Sequence, residues 1–257
     1  MSAHDPTARF SDRVADYVRA RPGYPPELWD VLARHCGLDG HSVIADIGSG
    51  TGLLAQVFLE RGNALFGVEP NAEMRQAGER LLGRYQAFIS VDAGAETTTL
   101  ADGCVDFVTA GQAFHWFDRD RARREFARIL RPGGWVVLIW NDRRLDATGF
   151  LRGYEALLVR HCPDYLKVVH RNIDAGVLGQ FFAPHGYQES VLDNRQQFDW
   201  EGLVARHLSS SFVPKAGHEA GMTELRALFD GHASAGSVEF EYDTRLYYGR
   251  LGSATDA

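Results

Sequence analysis

Between Val43 and Trp140 the apolar positions alternate between short continuous runs and stripes of helical period. The runs at 43–47, 64–68, 86–91, 104–110 and 135–140 are short and rich in Val, Ile and Phe, as expected of strands buried on both faces. Between them lie stripes: Leu53, Leu54, Val57 and Phe58; a helix from about Asn71 to Leu82; and Ala122, Phe126, Ile129 and Leu130 within 118–130. This alternation predicts an α/β fold with a doubly wound, mostly parallel sheet. Upstream, Phe10, Val14, Tyr17 and Val18 mark an amphipathic helix over 9–20. A rigid Arg21-Pro22-Gly23-Tyr24-Pro25-Pro26 turn follows, then a helix with Leu28, Trp29, Val31 and Leu32 that stops at Gly37. Downstream, the pattern predicts helices over 150–169 (broken at Pro163), 177–182, 200–211 and 219–232, and a strand over 187–198. In 237–250, Val238, Phe240, Tyr242, Leu246 and Tyr248 share one face of a last, antiparallel strand.

The junction of the first run and the first stripe carries the chemistry. Val43-Ile44-Ala45-Asp46-Ile47 leads into Gly48-Ser49-Gly50-Thr51-Gly52 and then Leu53-Leu54. Glycines at alternate positions force a tight turn and let a ligand approach bare backbone. The helix start behind them favours an electron-rich group. A dinucleotide fingerprint requires Gly-x-Gly-x-x-Gly/Ala, but counted from Gly48 its last position is Leu53. Asp46 would also repel a pyrophosphate; it suits a ligand with positive charge.

The Asp-x-Gly-x-Gly-x-Gly of 46–52 resembles the first motif of the class I S-adenosylmethionine (SAM) methyltransferases, and Leu130-Arg131-Pro132-Gly133-Gly134 is similar to a second segment of them. The resemblance implies a Rossmann-like seven-stranded sheet with an antiparallel last strand and a helical cap. SAM, yielding S-adenosylhomocysteine (SAH), would lie on Gly48, Ser49, Gly50, Thr51 and Gly52 beside Asp46. Glu69, about 23 residues after Asp46, would bind both ribose hydroxyls next to Pro70, since one carboxylate can accept two hydroxyl protons. Met74 would lie over the adenine, and Asp92, with Ala93, would meet its amino group. Plainer roles stay open: a solvated strand-end carboxylate for Glu69, a core side chain for Met74, a helix N-cap for Asp92. In similar small-molecule enzymes an N-terminal helix covers SAM. Tyr17 and Arg21 are its polar candidates here, Arg21 for the SAM carboxylate, unless the helix simply packs on the core.

The loop after the fourth run, Gly111-Gln112-Ala113-Phe114-His115-Trp116-Phe117, would face the methyl group. Gln112 and His115 are its candidate catalytic or substrate-binding groups, a hydrogen-bonded core histidine being the alternative. No Asn/Asp-Pro-Pro-aromatic box, Pro-Cys pair or complete catechol-type metal site follows the strands. Arg21-Pro22-Gly23-Tyr24-Pro25 and Ala113-Phe114-His115-Trp116-Phe117 are similar to segments of the trans-aconitate methyltransferase-like group. That implies a small carboxylic acid or related metabolite, reacting through oxygen or an acidic carbon. SAM or SAH binding without transfer, and a nucleic-acid or protein acceptor, remain as alternatives.

With 257 residues, 45% hydrophobic, the chain has enough core for a single domain. The expected parts are a helical lid over about 9–37, a SAM-binding core over about 41–141, a helical insertion over about 147–182 and a C-terminal part over about 186–251. The net charge of −7 disfavours nucleic acid. The arginines of 118–130 are expected on the solvent face. Cys36, Cys104 and Cys162 read as thiols in a reducing compartment, not a metal site. The polar start lacks a signal core, and no apolar run is long enough to span a bilayer. These features predict a cytoplasmic monomer or homodimer that uses a small-molecule substrate and no nucleic acid, membrane or metal.

Overall fold

In the computed structural model, which describes residues 21–166, 174–210, 212–214 and 216–252, the apolar runs form strands and the stripes form helices. The helix expected over 9–20, with Tyr17, lies outside these residues. β1 (Val43–Ile47), β2 (Ala64–Val68), β3 (Phe88–Val91), β4 (Val105–Gly111) and β5 (Leu130–Arg143) pair in parallel. With β6 (Gln188–Phe198) and β7 (Val238–Gly249) they form a seven-stranded sheet of order β3-β2-β1-β4-β5-β7-β6. β7 runs antiparallel to both β5 and β6.

Both faces of the central strands are covered, which is why their sequences run continuously apolar. Along β5, Val136 and Leu138 enter one core while Val137 and Ile139 enter the other. On the second face lie α1 (Glu27–Cys36) and α2 (Leu53–Leu59), through Leu28, Leu32, Leu54 and Phe58. α3 (Ala72–Leu82) adds Leu82 to that core. α4 (Arg119–Ile129) covers the first face with Ala122, Phe126 and Ile129. Each such Leu, Ile or Phe side chain contributes roughly 1.5–3 kcal/mol on burial.

Several boundaries differ from the pattern. β5 begins at Leu130, because Leu130 and Trp135 both pair with β4 and the Arg131–Gly134 segment bulges between them. Its far end continues through Asn141, Asp142 and Arg143 because β7 supplies partners there. On α4, Arg119, Arg121 and Arg124 are exposed, but Arg123 and Arg128 are partly buried. Arg123 donates to the Phe181 and Ala183 carbonyls, and Arg128 pairs with Glu125 and Asp102.

A third core lies at the far ends of β6 and β7. There α5 (Gly149–His161), α7 (Trp200–Leu208) and α8 (Glu219–His232) pack around Tyr154, Leu203, Leu225, Phe229 and Phe240. The helix expected over 150–169 ends at His161, two residues before Pro163. The short helix α6 (Ala175–Phe181) packs with α4 instead, through Phe181 against Phe126.

Candidate active site

β1 and β4 are neighbours at the middle of the sheet, where the strand order reverses and a crevice opens beyond the strand ends. The glycine turn leaves β1 there and the 111–117 loop leaves β4. Gly48 (φ 68°) has no room for a side chain, since a Cβ would sit 2.6 Å from that of Ala113. At Gly52 (φ 87°) a Cβ would meet Leu82 at 2.5 Å.

Beneath the turn are two buried carboxylates. Asp46 Oδ1 accepts a hydrogen bond from Thr109 Oγ1 at 2.9 Å, and its Oδ2 is buried with no partner among the described residues. Burial pushes the Asp46 carboxyl up to about 7, against the Thr109 hydrogen bond and with help from the charge of Glu69. Glu69 Oε2 accepts from the Gly50 N–H (2.9 Å) and Oε1 from the Asn71 N–H (2.8 Å). Burial raises this carboxyl as well, opposed by those two N–H groups. Glu69 is therefore also a brace for the turn, a role the sequence reading did not assign.

A cavity of about 350 Å³ runs from the turn to the cap. Of the expected site residues, Arg21, Asp46, Gly48, Ser49, Gly50, Thr51, Gln112 and His115 line it. Gly52, Glu69, Pro70, Met74, Asp92 and Ala93 sit outside its lining. Met74 is buried beneath Gly50, whose added Cβ would touch its methyl at 3.5 Å. Asp92 is exposed and paired with Arg75 at 2.8 Å; Pro70 is exposed and Ala93 is in the core. The N-cap carboxamide on α3 is Asn71, which accepts from the Met74 N–H.

The loop after β4 is held from both sides. Gln112 has φ 57°, sparsely populated for a side-chain-bearing residue. Its N–H donates to the Ile139 carbonyl (2.9 Å) and its Nε2 to that of Asn141 (3.2 Å). His115 sits in a single 3-10 turn, Phe114–Trp116, with its ring 4.7 Å from that of Trp116. Phe114, fully buried, locks the turn by edge-on contacts with Phe117, Trp140 and Phe181.

The structure adds residues that pattern reasoning missed. Arg143, Tyr154, Tyr165, Arg206, Phe212 and Tyr242 form the cap side of the cavity. On α7, Leu203 and Arg206 are both buried at helical spacing, with buried Ser210 four residues further on and past the helix end, a polar break in an apolar stripe that was there to be noticed. Tyr24 enters over Gly111, where a Cβ would lie 2.4 Å from its hydroxyl. The Gly23 carbonyl accepts from Asn141 Nδ2 (3.2 Å) and Asn194 Nδ2 (2.9 Å), which ties the 21–24 strap to β5 and β6.

This strand order, with a glycine turn after β1 and acidic residues in β1 and after β2, is the arrangement of the class I SAM-dependent methyltransferase fold. The comparisons point the same way: residues 45–138 match the methyltransferase-domain family model. An uncharacterised methyltransferase of Mycobacterium tuberculosis is 39% identical over 142 residues, 55% of this chain and 56% of that protein. One from Schizosaccharomyces pombe is 33% identical over 138 residues, 52% and 53% of the two chains. The chain thus spans just over half the length of these curated relatives. The structure of a proposed type II methyltransferase from Anaeromyxobacter dehalogenans superposes with a TM-score of 0.68 at 22% identity, over 91% of this chain and 99% of that one, and shares the fold. Among the described residues no helix is long and apolar enough to cross a membrane, and no group of three His, Cys, Asp or Glu could hold a metal ion.

Proposed function

We propose that the chain transfers the methyl group of SAM to a small-molecule acceptor, a carboxylic acid or a related oxygen or acidic-carbon nucleophile. The observation that carries this reading is the continuity of one cavity from the glycine turn to a cap wall bearing Arg143 and Arg206. The residues present fit SAM. The open Oδ2 of Asp46 suits a cation, the glycines of the turn leave bare backbone, and Arg21 at the rim suits a carboxylate. Glu69 keeps lone pairs beyond its two backbone bonds for ribose hydroxyls. When bound, SAM supplies a methyl group already activated on a sulfonium, so the protein's task is alignment and exclusion of water. Gln112 and His115 face the cavity between turn and cap and orient the acceptor. Trp116 and Trp140 make their surroundings apolar. α5 and α7 close over the cavity, which favours a small acceptor over a polymer.

The test is transfer of isotope-labelled methyl from SAM to pooled small acids, with binding of SAM, SAH and NAD measured beside it. Labelled product from an acid pool supports the proposal. SAM binding with no turnover on any pool would favour a sensor, and NAD binding with SAM silent would overturn the cofactor assignment.

A further inference from the structure

Arg143 stands at the end of β5, in register with Tyr242 of β7, and its side chain is only 10% exposed. Nη2 donates to Glu155 Oε2 (2.6 Å) and to the Tyr165 hydroxyl (3.0 Å). The Tyr165 hydroxyl donates in turn to Glu155 (2.6 Å), and the guanidinium lies 5.0 Å over the Tyr154 ring. The group is thus fixed from two sides. Its Nη1 is buried with no partner among the described residues, although the cavity lies against this side chain. An N–H stripped of water and given no acceptor costs free energy, and an arginine cannot relieve the cost by losing its proton.

Arg206, buried on α7, lines the same chamber and donates to Ser210 Oγ at 2.9 Å. Asp142, on the same wall, is paired with Arg245. The Tyr154 hydroxyl feels both arginines, which offset part of the rise that burial imposes on it.

We infer that Arg143 is an anion anchor for the methyl acceptor and holds a carboxylate that is not the group methylated. The inference rests on the reading of this cavity as the acceptor site. A carboxylate oxygen that accepts from the Arg143 Nη1 has its charge offset by the guanidinium and its lone pairs engaged, which makes it a poor nucleophile. The acceptor is therefore an acid with a second, reacting atom, presented toward Gln112 and His115 while its carboxylate is held in the cap. Arg206 adds to the same positive field.

The test uses the full chain saturated with SAH and two probe pairs, benzoate with benzamide and succinate with succinamide, titrated calorimetrically. In the wild type at least one acid should bind about tenfold tighter than its amide. In Arg143→Gln that preference should fall below about threefold, with SAH affinity unchanged. Arg143→Lys keeps the charge without the planar guanidinium that places Nη1 and should fall between. An acid preference that survives intact in Arg143→Gln, or its absence in SAH-bound wild type, overturns the anchor. If Arg143→Gln does not fold, as judged by its thermal melt, an undiminished preference in Arg143→Lys overturns it instead. Failure of the wild type to bind SAH would strike the underlying methyltransferase reading, an outcome distinct from all of these.

Discussion

Asp46 offers the sharpest physical test of the cofactor side. Its carboxyl, pushed up to about 7 by burial, is mostly protonated at pH 6 in the free protein. A cation placed against the open Oδ2 should lower that value by about 1–3 units. SAM binding at pH 6 should then release about 0.4–0.9 proton, and at pH 8 roughly 0.1 or less. The α-amino group of SAM is already protonated at pH 6 and adds nothing. Calorimetry in two buffers of different ionisation enthalpy reads the proton count directly. Asp46→Asn keeps an oxygen for the Thr109 hydroxyl and should bind SAM with no proton release. The same substitution has a stability signature. Because the folded carboxyl titrates above its ordinary 3.8, the native state holds a proton that the unfolded chain gives up, and stability falls as pH rises from about 4 to 7. Without ligand, Asp46→Asn should therefore be more stable than wild type at pH 8, by on the order of 2–4 kcal/mol. Equal proton release in wild type and Asp46→Asn would refute the account, and so would an unfolding free energy at pH 8 that the substitution leaves unchanged.

Glu69→Gln should lower SAM affinity by on the order of 2–4 kcal/mol, and it should also lower the melting temperature of the free protein, because Glu69 braces the Gly50 and Asn71 N–H groups. Titration and thermal melts check both halves, and a loss confined to affinity would remove the bracing role. His115→Gln, assayed once an acceptor is known, should cost about tenfold or less in turnover if His115 only orients the acceptor; a loss of about 10²–10⁴ with SAM affinity intact would make it the base. His207, buried with Nδ1 3.2 Å from the Tyr154 hydroxyl, is pushed down to about 4, chiefly by burial. The unfolded chain takes up the proton first, so stability contributed at neutral pH is lost as pH falls from about 6.5 to 4. Denaturant unfolding should show wild type losing up to about 3 kcal/mol relative to His207→Gln between pH 7 and 4, and parallel pH profiles would argue against it.

The cofactor half was legible because its requirements are local. Three glycines in seven residues can serve only a turn of this kind, and the continuous apolar runs around them mark strands with both faces covered. Asp46 was readable from chemistry alone, as an acid where an anion could not bind. The acceptor half was not legible, for two physical reasons. Arg143 and Arg206 look like surface residues by composition, and their burial follows from cap helices far away in sequence. The ladder that places Asn141, Asp142 and Arg143 in the cavity wall depends on β7, about a hundred residues later, so the pattern at 135–140 stops where local information stops. Arg123 and Arg128 went the same way: helical period put them on the outer face, but the Phe181 and Ala183 carbonyls, Glu125 and Asp102 reach them there.

The unequal lengths of the strands bear on how such a molecule can diversify. β1 and β2 are five residues long, whereas β5 has 14 and β7 has 12. The last rung β5 shares with β4 is Ile139, and everything it offers the cap lies past that rung. The family match stops at residue 138, just before it. Substitutions in the outer tails of β5 and β7 can thus re-tailor what the cap accepts while the glycine turn and its carboxylates stay as they are. The sheet acts as a shared spine through which the floor and the roof of the cavity are kept in register.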